Sequence, residues 1–140
     1  MNRDHILFII GRINYKVNRF LIRELKKHHI KGIAPSHGEI LGALLIRERL
    51  QMKELAEIID KDKSTITALV NKLMVLGYVE KAKDDDDSRI SIISLTQKGK
   101  ALKPSFLEVS KTMCARAYDG ISESDKEKLY VLLMKLNKSL

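Results

Sequence analysis

The sequence predicts a mainly α-helical chain with one small β-hairpin, and three observations carry that expectation. Apolar residues recur every three or four positions through most of the 140 residues, which is the period of a helix with one buried face. Aromatic residues make up only 5% and Trp is absent, so a core would be filled by Leu and Ile on helices. Finally, two extended runs flank the polar tip Asp84, Asp85, Asp86 and Asp87, the pattern of two strands around a turn. Two short helical stretches joined by three polar residues precede that hairpin. Together they read as a winged helix-turn-helix set between longer terminal helices.

Taken in order, residues 1–28 read as one long helix. Ile6, Ile10, Ile13, Val17, Phe20 or Leu21, and Leu25 recur at helical spacing, with Arg3, Arg12, Lys16, Arg19, Arg23 and Lys26 among them. Leu7, Phe8, Ile9 and Ile22 widen the apolar face beyond one stripe, and a helix so apolar needs more than one neighbour. In so short a chain the second neighbour is expected to be another copy; packing within one chain is the alternative. His28 and His29 close the helix beside Lys26 and Lys27, where the helix dipole favours positive charge. Adjacent helical residues point ~100° apart, which suits capping better than a shared metal. Gly32 breaks the chain. Ser36 and Glu39 stand at capping-box spacing after Pro35, and Ile40, Leu41, Leu44 and Leu45 stripe the next helix. Gly38 either leaves room beside that helix or weakens it. Residues 46–51, IRERLQ, read as a charged bridge.

Met52–Ile59 reads as a short helix with Leu55, Ala56 and Ile59 facing in. Asp60, Lys61 and Asp62 make a turn, and the Asp62 carboxylate is placed to accept the free N–H groups of the helix that follows. Such turns often hold Gly where this chain has Asp60, which adopts unusual backbone angles less readily. Residues 63–76 form the second helix. Ile66, Leu69, Val70 and Leu73 fall on its inner face. Ser64, Thr67, Ala68 and Asn71 fall on the outer face, with Thr65 and Lys72 at its edges. That outer face carries no acid and is small and hydrogen-bonding, which suits a helix entering a DNA major groove.

Gly77, Tyr78 and Val79 end the helix and start an extended run. Residues 88–95, with the isoleucine-rich RISIISL, supply the second strand. The four aspartates read as a solvated turn, partly neutralised by Lys81, Lys83 and Arg89; they lack the Gly and Glu spacing of a calcium loop. Thr96 is placed to cap a helix beginning at Gln97. Pro104 removes a backbone bond and should break or kink that helix near Lys103. The helix resumes with Phe106, Val109, Met113 and Ala117 on one face and ends near Gly120. Ser122 with Asp125 starts a last helix, whose Leu129, Leu132, Leu133, Leu136 and Leu140 form a row that must dock on something.

The length suits a single domain over residues 1–140, and an apolar fraction of 44% permits a real core. A net charge of +8 and a pI near 9.6 favour a polyanionic partner. The single Cys114 excludes an internal disulfide and fits a reducing cytosol. No signal-peptide pattern opens the chain, and no apolar run approaches the ~20 residues of a membrane span. A cytoplasmic protein with no cofactor and no metal site is expected. Enzyme signatures such as a phosphate loop or HExxH are missing.

Asp87, Arg89 and the run Leu95-Thr96-Gln97-Lys98-Gly99 carry a specific resemblance. An Asp, an Arg two residues on, and then Leu-Thr-x-x-Gly mark the MarR (multiple antibiotic resistance regulator) family, which the chain resembles over nearly its whole length. The family often has a second Arg where this chain has Ser88, and a Pro where it has Asp85. The resemblance implies a winged helix-turn-helix over residues 34–96 and dimerisation helices over 1–30 and 97–140. It implies that Arg89 reaches into a minor groove while Asp87 orients it. It also implies that the helix starting near Pro35 lies by the DNA backbone, making Ser36 and His37 phosphate contacts, since a helix N-terminus attracts anions. Small aromatic or phenolic effectors are common in the family; the sequence names no pocket for one.

The function expected is therefore a homodimeric transcription regulator, a repressor on an inverted-repeat operator, released by a small effector. Double-stranded DNA would be contacted by Lys63, Ser64, Thr65, Thr67, Ala68, Asn71 and Lys72, with Asn71 suited to adenine and Ala68 to a thymine methyl. Two rivals stand beside it. One is a winged-helix protein-interaction module without operator binding, suggested by Ser88 and the acid run. The other is a thiol-based redox regulator using Cys114.

Overall fold

Leu50, Leu55, Ile66, Val70, Leu73 and Ile93 are wholly or almost wholly buried, and they come from separate short elements that hold one another in place. The structure, a computed structural model, describes residues 3–140. A short 3₁₀ turn, Arg3–His5, leads into α1 (Ile6–Lys27); then follow α2 (Pro35–Ile46), β1 (Arg49–Gln51), α3 (Met52–Ile59), α4 (Lys63–Val75), β2 (Val79–Lys83), β3 (Ser91–Leu95), α5 (Gln97–Lys100), α6 (Lys103–Ala117) and α7 (Glu123–Ser139). Residues 1 and 2 of the expected first helix lie outside the described residues. No helix among the described residues is long and apolar enough to cross a membrane.

The helix-turn-helix forms where the sequence places it. Asp60 closes α3 in the left-handed region at φ 57°, so the turn does require the backbone angle that Gly usually supplies. Asp62 caps α4: its Oδ1 accepts the Thr65 N–H at 2.7 Å. Ile66, Val70 and Leu73 are buried against α2 and α3, and Leu69 packs at the edge of that cluster.

The sheet has one strand more than the hairpin alone. β3 lies between β2 and β1, all antiparallel, with Val79 opposite Leu95 and Leu50 opposite Ile93. Residues 46–51 are thus not merely a charged bridge. Arg49, Leu50 and Gln51 zip onto β3, and Leu50 enters the core. Three residues are too few for alternation to betray a strand. The second strand of the hairpin also starts later than expected, at Ser91, because Ser88 and Arg89 belong to the turn.

The expected Ser36–Glu39 capping box does not form. Pro35 is the first helical residue and Ala34 the cap position, which lacks a side-chain acceptor. Pro suits that first position because its fixed φ is helical and its missing N–H would have had no partner. His37 then stands third in the helix, and its Nδ1 accepts the Ala34 N–H at 2.9 Å. An imidazole thus does what Glu39 was expected to do.

Thr96 and Ser122 cap as expected, accepting the N–H of Gly99 and of Asp125, each at 3.1 Å. The Pro104 break is also present. α5 ends at Lys100, Ala101 and Leu102 turn, and Pro104 lies in the first turn of α6, where a proline costs no hydrogen bond. α6 packs along α1. α7 buries none of its residues within the chain, and Leu129, Leu132, Leu133 and Leu136 stay exposed. So do Ile6, Leu7, Phe8 and Ile13 at the far end of α1.

Candidate nucleic-acid interface

The outer face of α4 is assembled from its capped end outward. Asp62 receives Ser64 Oγ at 3.0 Å as well as the Thr65 N–H. Hydrogen bonds from Thr65 and then Ser64 hold the Asp62 carboxyl below its ordinary pKa, so it stays ionised against the positive end of the helix. Thr67 Oγ1 donates back to the Lys63 carbonyl at 2.8 Å. Ser64 and Thr67 have therefore committed their hydroxyl protons and can only accept from a ligand. Lys63, Thr65, Ala68, Asn71 and Lys72 are exposed. The Lys63 and Asn71 side chains make no hydrogen bond among the described residues, which leaves both amide edges of Asn71 available.

His37 connects this face to the start of α2. Its pKa is lowered, first by partial burial and then by the Lys72 ammonium. With Nδ1 accepting from Ala34, the neutral ring carries its proton on Nε2 and can donate from there. Ser36, beside it, is half-buried and makes no side-chain hydrogen bond among the described residues. Two of the expected phosphate contacts thus sit at a helix N-terminus within electrostatic reach of the α4 lysine.

The four aspartates at the wing are not equivalent. Asp84 turns inward: its Oδ2 accepts the N–H groups of Asp86 and Asp87 at 3.2 and 3.1 Å. The Asp84 N–H donates to the Ile90 carbonyl at 2.9 Å and closes the hairpin. Asp87 is claimed by Arg89, whose Nε and Nη2 donate to Oδ1 and Oδ2 at 3.1 Å each while its backbone N–H also donates to Oδ1 at 3.0 Å. This fork holds the Asp87 carboxyl below its ordinary pKa and the Arg89 guanidinium above its own. Arg89 is 88% exposed and Asp87 32%, so the carboxylate is a fixed base and the guanidinium a presented head. Of the four, Asp85 and Asp86 are the exposed pair, whereas Asp84 and Asp87 are half-buried.

Away from this surface, α1 and α6 border an open cavity of about 570 Å³. Lys16, Arg19, Arg23 and Arg116 line it beside Ile13, Val17, Phe20 and Met113, and the Arg116 guanidinium lies 5.7 Å from the Phe20 ring centre. Periodicity placed these residues on two helices but could not show that the helices leave a gap between them. Cys114 is half-buried on α6. No group of three His, Cys, Asp or Glu converges on a metal-sized site among the described residues.

Residues 31–90 match the model of the MarR family. The chain is 38% identical over 88 residues to the HTH-type transcriptional regulator SarZ of Staphylococcus aureus, a match over 63% of this chain and 57% of that relative. The chain therefore spans little more than half the length of the curated relatives it matches. Similar folds cover almost all of it. The S. aureus MepR–DNA complex aligns over 96% of this chain and 98% of its own, with TM-score 0.85 and 21% identity. A mutant MarR from E. coli complexed with operator DNA aligns over 97% and 99%, with TM-score 0.79 and 20% identity. A MarR protein from Peptoclostridium difficile aligns over 99% and 89%, with TM-score 0.85 and 22% identity. The match to the MarR family model thus covers the winged-helix region, while the likeness to the solved structures is one of fold and runs from end to end.

Proposed function

We propose that the protein is a homodimeric, sequence-specific DNA-binding transcription regulator, a repressor acting on an inverted-repeat operator. The observation that carries this reading is the outward face of α4. It is free of acids, fixed at one end by the Asp62 cap, and flanked by a guanidinium that Asp87 holds out from the wing. α4 enters a major groove, where Asn71 reads adenine and Ala68 a thymine methyl. Lys63, Lys72, Ser36 and His37 take phosphates, and Arg89 takes the adjacent minor groove. The relatives named as transcriptional regulators, and the similar folds solved on DNA, support this reading.

The uncovered apolar faces support a division into residues 34–96 for DNA and residues 1–30 with 97–140 for dimerisation. The exposed leucines of α7 and the apolar end of α1 need a partner, and a second copy supplies the two-fold axis that an inverted repeat demands. The cationic, apolar cavity between α1 and α6 suits an aromatic anion, which would release DNA by preferring one spacing of the two recognition helices. A cytoplasmic location goes with a DNA target.

Selection of bound sites from a random DNA library tests the reading, with the mass of the complex followed by light scattering. One enriched inverted repeat holding two chains supports it. A folded protein that enriches no sequence contradicts it and favours a protein-interaction module.

A further inference from the structure

The last turn of α4 closes locally, with the N–H groups of Leu76, Tyr78 and Gly77 donating to the carbonyls of Lys72, Leu73 and Met74, and the carbonyls just beyond it, which have no partner in the helix, are satisfied from far along the chain. Leu76 caps α4, Gly77 turns at φ 82°, and Tyr78 leads into β2. Their successive carbonyls all accept from the segment that begins α5. Lys98 Nζ donates to the Leu76 carbonyl at 2.8 Å. Thr96 Oγ1 donates to the Gly77 carbonyl at 2.6 Å, and the Thr96 N–H donates to that of Tyr78 at 3.1 Å.

The junction has little slack. The Lys98 ammonium lies 4.9 Å from the centre of the buried Tyr78 ring. A Cβ at Gly77 would touch the Lys98 stem at 3.6 Å. At Gly99 a Cβ would strike the Tyr78 carbonyl oxygen and press on Leu95. Beyond α5, Leu102 and Val109 are buried in the common core, and α6 packs on α1. The end of α4 is therefore bonded to the segment through which the terminal helices would move it.

We propose that Lys98 is a positioning residue for operator recognition. It holds the C-terminal end of α4 against the start of α5 and so sets the pose of the recognition helix, while contacting no DNA itself. The proposal rests on the DNA-binding reading above. A positive charge on a helix C-terminal carbonyl is favoured by the dipole and makes a charge-assisted bond. Base readout, for its part, depends on hydrogen bonds that weaken within a few tenths of an ångström of misplacement. Small freedom at the end of α4 thus affects discrimination more than it affects folding.

Lys98→Met keeps the stem and removes the donor. Its affinity for the site that wild type selects, and for a scrambled duplex, is measured across a salt series alongside thermal melting. The expected result is a loss of roughly tenfold in selected-site affinity, with scrambled-duplex affinity and salt slope unchanged and Lys98→Arg restoring most of the discrimination. A salt slope reduced by about one, with both duplexes weakened, would make Lys98 a phosphate contact and overturn the proposal. Losses on both duplexes that track a lowered melting temperature would make it merely structural, and an unchanged ratio would also overturn it. If Lys98→Met does not fold, Lys98→Gln, whose amide can still reach a carbonyl, is read by the same ratio. A wild type that selects no site removes the DNA reading and this proposal together; a wild type that selects one, with a variant that discriminates equally, removes the proposal alone.

Discussion

Arg89 shows what a single residue contributes here. Three hydrogen bonds to Asp87 orient it while its head stays 88% exposed, so part of the ordering cost of the proposed groove contact would be met before DNA arrives. Arg89→Ala is expected to weaken operator binding roughly tenfold or more; a mobility-shift titration with unchanged midpoint would remove Arg89 from the interface. Asn71→Ala should relax the preference for one base by about 1–3 kcal/mol while leaving non-specific affinity intact, as site selection with the variant would show. His37 gives a pH dependence. Burial and Lys72 lower its folded pKa, so on acidification the unfolded chain takes up a proton that the folded chain resists. Its contribution to stability is present above about pH 6.5 and is lost as pH falls below that value. In denaturant melts at pH 7.5 and 5.5, His37→Gln should flatten that part of the decline. The Asp87–Arg89 pairing was implied by the family resemblance, and it forms readily because partners two residues apart are local. The role of His37 at the Ala34 N–H was not, because Ser36 with Glu39 offered an ordinary box, and Pro35 shifted the helix start by two residues.

At the scale of elements, short local signals carried most of what could be read. Asp62, Thr96 and Ser122 cap their helices through bonds to the residue three on, and Pro104 separates α5 from α6. Each signal lies within four residues of its effect. β1 escaped because three residues show no period, and its partner is more than forty positions away. The clamp on the end of α4 escaped for the same reason, since Lys98 and Leu76 are 22 positions apart. Gly99 is the element-scale test of that junction. A Cβ there meets the backbone oxygen of Tyr78 and cannot be relieved by a side-chain rotation, so Gly99→Ala should destabilise the fold by about 1–3 kcal/mol, read by chemical denaturation. A Gly99→Ala protein as stable as wild type would mean that the junction yields.

For the whole molecule, the winged helix is a closed unit, whereas the terminal helices are not. The core runs from Leu25 to Val109 and leaves α7 outside it. The width of the apolar face on residues 1–28 already pointed to a second neighbour; which helix supplies it was beyond periodicity, because a stripe shows that a face is buried and not by what. Leu133→Asp places a charge in the exposed leucine row and should shift the light-scattering mass from dimer to monomer, with operator affinity falling as the second half-site contact is lost. A dimer retained in that variant would move the interface elsewhere.

The most direct measurement is a hydroxyl-radical and methylation-interference footprint of the protein on its selected site. Two protected major-groove patches, ~34–36 Å apart and each flanked by minor-groove protection that disappears in Arg89→Ala, are the predicted result. Protection confined to one patch, or spread evenly along the duplex without regard to sequence, would contradict a pair of α4 helices reading two half-sites.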